Sequence, residues 1–118
     1  TEQLAALQQT CRQVYVDPSL IQYSVRLVAA TRKPELHDLK DLSRLITYGA
    51  SPRATINLTL AARACALIEG RNYVTPEDVK RIALDVLRHR ILLTYEAEAE
   101  NMTTEDIITQ VLNVVEVP

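Results

Sequence analysis

The residues of this chain best placed to do chemistry lie in one run, Tyr48-Gly49-Ala50-Ser51-Pro52-Arg53-Ala54. Read locally, the run is a helix start. Gly49 permits a tight turn, Ser51 can cap with its hydroxyl, and Pro52 suits the first helical position, where its missing N–H has no intrahelical partner. Arg53 then falls in the first turn. Helical side chains lean toward the N-terminus, so its guanidinium points back past the helix end. Free N–H groups and the positive end of the helix dipole attract anions there, and a cation is mildly disfavoured unless an anion joins it. Arg53 at this helix end can therefore meet a phosphate. The alternatives are pairing with a nearby carboxylate or solvation at the surface.

Three other helix starts in the chain provide a comparison: Asp17-Pro18-Ser19, Thr75-Pro76-Glu77-Asp78 and Thr103-Thr104-Glu105-Asp106. The first has an acidic cap and the other two carry acids in the first turn, as the dipole prefers. Only the start at Ser51 combines a neutral cap with an arginine.

Other chemistries lack their residues. A phosphate-binding P-loop needs Gly-Lys-Ser or Gly-Lys-Thr, whereas Gly49 precedes Ala50 and Gly70 precedes Arg71. A serine-nucleophile elbow needs glycine where Arg53 stands. His37 and His89 are the only histidines and lie far apart, with no His/Cys cluster for zinc. Glu96, Glu98 and Glu100 read as a solvated acidic loop rather than paired catalytic carboxylates. By itself this polypeptide should catalyse nothing.

The elements that must position Arg53 follow from composition and periodicity. The 118 residues are 47% apolar but contain no Phe or Trp, so the core must be built from Leu, Ile, Val and Ala, a helix-friendly mixture. Net charge is −2, which offers no global attraction to nucleic acid or to an anionic membrane. Residues 51–90 nevertheless hold seven Lys/Arg against four Asp/Glu, while residues 91–118 hold six acids and no base. Cys11 and Cys65 fall on apolar helical faces, as expected of buried thiols in a reducing compartment. The residues given show no signal-peptide pattern and no apolar run of membrane length, so neither secretion nor membrane insertion is expected from them. Thr1 stands where an initiator methionine would, so the chain reads as a piece of a longer protein.

The spacing predicts an all-α bundle of about five helices in one domain over 1–118. Leu4, Leu7, Cys11 and Val14 mark a first helix over 2–13. A second runs from Pro18 to about Thr31 with Leu20, Ile21, Ser24, Val25 and Val28 inward, ending before Lys33-Pro34. A loop and a short helix from Asp38 to Ile46 follow. The third long helix runs from Pro52 to Glu69 and stops at Gly70, with Ile56, Leu60, Ala64, Leu67 and Ile68 as its buried stripe. The fourth starts at Thr75-Pro76 and buries Val79, Ile82, Ala83, Val86 and Leu87. Ile91–Tyr95 is extended or irregular, and a last helix capped by Thr103 buries Ile107, Ile108, Val111, Leu112 and Val115. Val14-Tyr15-Val16 and Tyr73-Val74 are short β-branched stretches that could pair as two brief strands.

Several runs together resemble the C-terminal helical lid of MoxR-type AAA+ ATPases: Gly49-Ala50-Ser51-Pro52-Arg53-Ala54, Ala62-Arg63-Ala64, Gly70-Arg71-Asn72-Tyr73-Val74-Thr75-Pro76-Glu77-Asp78-Val79 and Val86-Leu87-Arg88-His89-Arg90. The likeness is dense from Tyr48 to Glu98 and looser from Tyr23 to Arg32, and the final Val-Glu-Val-Pro looks like the end of such a protein. The resemblance implies that Arg53 is the sensor-2 arginine, presented by Ser51 and Pro52 to the terminal phosphate of ATP bound with Mg2+ by a neighbouring core. It further implies a hexameric ring, a partner with a von Willebrand factor A domain, and chaperone-like maturation or metal insertion in a bacterial cytoplasm. No nucleic-acid partner and no membrane insertion are expected. Arg63, Arg71, Arg88 and Arg90 could reach nucleotide or the next subunit but read better as structural, and His89 as a surface or packing residue. Two other readings stand beside this one: a histone-fold-like DNA-binding module, since helix, brief strand, Thr-Pro-Glu-Asp, helix occurs there too, and a helical interaction domain without a ligand. The acidic balance and the lack of a basic stripe count against the former.

Overall fold

The computed structural model describes residues 2–118, and helices dominate it. Helix α1 (Glu2–Arg12) leads into α2 (Pro18–Arg32), which starts on Asp17, whose carboxylate accepts from the Ser19 N–H at 2.9 Å. Two short 3-10 turns, Pro34–His37 and Lys40–Leu42, connect to strand β1 (Ile46–Tyr48). Helix α3 (Arg53–Ile68) and helix α4 (Pro76–Leu87) follow, then strand β2 (Leu92–Leu93), the short helix α5 (Tyr95–Ala99) and helix α6 (Thr104–Val114).

The helix punctuation follows local chemistry. Gly70 ends α3 with φ +79°, a conformation that only glycine adopts without strain, and its neighbour Arg71 bonds back to the Ala66 carbonyl. Thr75 and Asp78 form a reciprocal capping box at α4, and Thr103 and Asp106 form another at α6.

Four stretches depart from expectation. The segment Asp38–Ile46 is not a helix: Asp38 is left-handed (φ 59°), the chain makes only a 3-10 turn after it, and Ile46 enters a strand. Leu39, Leu42 and Leu45 are buried along this segment, of which Leu42 lies within the 3-10 turn, while Leu36, three positions before Leu39, is exposed. The two-stranded sheet is β1 antiparallel to β2, with Ile46 opposite Leu93 and Tyr48 opposite Leu92. Val14–Val16 and Tyr73-Val74 meet only through an isolated parallel bridge between Tyr15 and Tyr73. The expected acidic loop after Tyr95 begins as helix α5, whose cap is Thr94, its hydroxyl accepting from the Ala97 N–H. Arg44 clamps this helix through Glu96 and Glu100, and that ion pair lies far apart in sequence.

Burial also differs from the expected stripes. In α3 the inward residues are Ala54, Leu58, Ala62, Cys65 and Ala66, while Ile56, Leu60 and Ile68 are exposed, Ile68 by 85%. In α2, Leu20, Ser24 and Val28 are buried as expected, but Tyr23, Leu27 and Ala30 replace Ile21 and Val25. Helix α1 buries no residue, and Cys11 is only half-buried. In α4, Val79, Ala83 and Leu87 are buried as expected and Ile82 and Val86 half-buried, with Asp78 joining them; in α6, Ile107, Ile108 and Val111 are buried and Leu112 half-buried. Two buried clusters result. One joins Tyr23, Leu27, Leu42, Val79, Ile107 and Val111 among others; the second joins Val28, Ala50, Ala54, Leu58, Ala83, Leu87, Ile91 and Ile108. The second lies directly under the start of α3. Among the described residues, no helix is long and apolar enough to cross a membrane.

Candidate functional site

The start of α3 is held from below and open from above. Ala50 and Ala54 are fully buried in the second cluster, whereas Ser51, Pro52 and Arg53 are exposed. Small inward side chains let the helix start press against α2 and α4. They leave the intervening Arg53 on the outer side. Arg53 makes no hydrogen bond or ion pair among the described residues. Arg44, Arg71, Arg81 and Arg88, by contrast, each meet a carboxylate. Of the alternatives that local chemistry left open for Arg53, intramolecular pairing is the one this structure does not contain.

Two details of the helix start differ from expectation. Ser51 does not cap α3 with its side chain. Its carbonyl instead accepts from the Ala54 N–H at 2.9 Å, and Pro52, already helical (φ −56°, ψ −23°), takes the cap position. Proline's fixed φ already suits the helical region, so Pro52 holds helical angles although the helix is counted from Arg53. Gly49 does not supply a left-handed turn either; it supplies room. A Cβ at Gly49 would stand 2.2 Å from the Thr31 carbonyl oxygen and 2.6 Å from the Arg32 nitrogen, both backbone atoms.

The residues that hold this start belong to α2 and were not singled out by motif. The Ala50 N–H donates to Thr31 Oγ1 at 3.0 Å, Thr31 Oγ1 donates to the Val28 carbonyl at 2.7 Å, and Arg32 donates to the Ala50 carbonyl at 3.3 Å. Thr31 is fully buried. The available signal was a Thr-Arg pair at the end of a helix, which on its own looks like ordinary surface sequence.

The other basic residues divide. Arg71 is bidentate to the buried Asp78 at 3.0 and 2.6 Å, completing the cap of α4, and its cation sits 6.0 Å from the Tyr73 ring centre. Burial alone would raise the Asp78 carboxyl; the Thr75 backbone N–H, Arg71 and the Thr75 hydroxyl outweigh it and hold the group below its ordinary value. Arg88 pairs with Asp85 and lies 2.9 Å from Glu105, without hydrogen-bond alignment at Nε. Arg63 is half-buried with its Nε enclosed and unpaired among the described residues. His89 and Arg90 line a hollow of about 450 Å³ with Asp85, Val86 and Asn57, one helical turn beyond Arg53. A larger hollow of about 710 Å³, between β2, α5 and Thr104, contains no basic side chain and is the less suited to an anion.

The arrangement can offer a cation, unpaired among the described residues, from a helix start packed on its inner side. That fits an anion carried by another body better than a ligand enclosed by this chain. The AAA lid domain family matches residues 40–111. Chaperone MoxR1 of Mycobacterium tuberculosis is 44% identical over 118 residues, all of this chain but 31% of that protein. Protein MoxR of Paracoccus denitrificans is 41% identical over 92 residues, 73% of this chain and 27% of its own length. A crystal structure of a candidate ATPase from Cytophaga hutchinsonii superposes with a TM-score of 0.90 at 44% identity, over 93% of this chain and 33% of that one. The chain spans about a third of the length of these relatives. The chain belongs to the AAA lid domain family, as a lid fragment of the MoxR family.

Proposed function

We propose that residues 1–118 act as one lid, and that Arg53 is its sensor-2 arginine, contacting the terminal phosphate of ATP bound mainly by the ATPase core. The observation that carries this reading is an exposed guanidinium without a partner among the described residues, at a helix start with no side-chain cap whose underside is fully packed. ATP with Mg2+ supplies the phosphoryl group and its charge. Arg53 supplies charge-assisted hydrogen bonds, which are strong and directionally selective. Ala50 and Ala54 keep the helix start from yielding when the guanidinium engages.

The mechanism is differential binding. While the terminal phosphate is present, the lid gains a contact that favours closure on the core; once it leaves, the contact is lost and the lid relaxes. In a hexameric ring this hinge motion does mechanical work on a client protein. The name of the relative MoxR1 supports a chaperone role. A partner with a von Willebrand factor A domain, metal insertion into clients and a cytoplasmic setting follow from the family resemblance.

The test is turnover by the full-length ATPase carrying Arg53→Ala or Arg53→Lys. Loss of an electrostatic transition-state contact should lower hydrolysis by roughly 10²-fold in Arg53→Ala, with partial retention in Arg53→Lys. The exposed site predicts unchanged thermal stability. Wild-type turnover in Arg53→Ala would remove Arg53 from the reaction.

A further inference from the structure

The end of α2 grips the residues just before Arg53 more closely than packing requires. Ala50 has both backbone groups held by consecutive residues of α2: its N–H by the Thr31 hydroxyl at 3.0 Å and its carbonyl by Arg32 at 3.3 Å. The Thr31 hydroxyl is itself oriented by donating to Val28, so its lone pair is directed outward from α2. At Gly49 the two backbones meet with no space for a Cβ. Between Ala50 and Arg53 stand only Ser51, whose carbonyl is bonded to Ala54, and Pro52, whose φ is fixed. The path from Thr31 to the Arg53 backbone therefore contains no loose joint.

We propose that Thr31 is a positioning residue for the ATPase reaction, setting through Ala50 the place from which Arg53 reaches its phosphate. This rests on the reading of Arg53 as the phosphate ligand. Valine has nearly the shape of threonine and would fill the same buried space, so the hydroxyl itself must carry the effect. Without it the Ala50 N–H is buried and unpaired, and the strand-to-helix joint can shift. Contacts to a developing charge are sensitive to such shifts, a misplacement of about 1 Å costing up to about 10²-fold in rate.

The experiment uses the full-length ATPase with Thr31→Val and Thr31→Ser, each with and without Arg53→Ala. Amide hydrogen exchange without nucleotide reads the joint alone. The Ala50 amide should exchange about tenfold faster in Thr31→Val, the ratio implied by one lost hydrogen bond, and near the wild-type rate in Thr31→Ser. At saturating ATP, Thr31→Val should lower kcat on the order of tenfold, with Thr31→Ser restoring it. Adding Thr31→Val to Arg53→Ala should cost nothing further, because both act through one contact. A wild-type kcat in Thr31→Val, or the same loss in both backgrounds, overturns the positioning role and leaves the Arg53 reading standing. Full activity in Arg53→Ala overturns both. If Thr31→Val fails to fold, Arg32→Met, which removes the bond to the Ala50 carbonyl together with one exposed charge, replaces it, with Arg32→Lys keeping the charge as its control: Arg32→Met should lower kcat in the wild-type background and not in Arg53→Ala, and equal losses in both again overturn the role.

Discussion

Arg53 and Arg71 are both arginines at the edge of a helix start, and their surroundings separate them. Arg71 is committed to Asp78, which is 1% exposed and receives the Thr75 N–H at 2.8 Å as well. That carboxylate fastens the turn between α3 and α4. Asp78→Ala should destabilise the chain by about 2 kcal/mol through loss of the cap. The effect should depend on pH. Because folding lowers the Asp78 pKa, its contribution is fully present above the unfolded value of about 4 and is lost as pH falls through the folded value. Thermal unfolding of wild type and variant should differ at pH 7 and converge near the acid limit. A gap of constant size from pH 7 down to pH 2 would mean that packing, not charge, holds the turn. Glu100 and Asp106 are also lowered, by Arg44 and by the Thr103 backbone N–H respectively, so only the difference between wild type and variant isolates Asp78.

At the scale of elements, what was legible in the sequence depended on how far each signal reaches. Caps and stops are local. Asp17, Thr75, Thr103 and Gly70 act where their residue types indicate, because a side chain bonding two or three residues away needs no tertiary partner. The start at Ser51 broke this pattern: the Ser51 carbonyl, not its hydroxyl, takes the Ala54 N–H, and the residue before it is held by Thr31, nineteen positions before Ala50. The inner face of α3 was misread for a different reason. Ile56, Leu60 and Ile68 match Leu58 in size, yet close approach of α2 and α4 selects the face of Ala54, Leu58, Ala62 and Ala66 instead. Hydrophobic size marks what prefers to be buried; it does not say which partner is present. Leu58→Ala should therefore cost about 2–5 kcal/mol, whereas Ile56→Ala should stay within about 0.5 kcal/mol. Denaturant unfolding of the two variants checks this, and equal losses would restore the stripe read from periodicity. The pairing of β1 with β2 and the Arg44–Glu100 clamp join segments about fifty residues apart, beyond any local signal.

For the whole molecule, the division of labour is what matters. The chain corresponds to about a third of its relatives, and among the described residues Arg53 combines exposure, freedom from a carboxylate and a position in the first turn of a helix whose start is fully packed beneath it. The apolar face of α3 and the unburied α1 show that this surface is not everywhere adapted to water. The candidate site itself was largely legible, since Gly49 to Arg53 stood out by residue type; its support from Thr31 and Arg32 was not, because their partners are set by the fold. The most direct measurement is a structure of the full-length ATPase with a non-hydrolysable ATP analogue and Mg2+. Arg53 should lie at charge-assisted hydrogen-bonding distance, about 2.7–2.9 Å, from an oxygen of the terminal phosphate. Arg53 pointing into solvent or paired with a carboxylate of the core, while the analogue fills its site, would contradict the account.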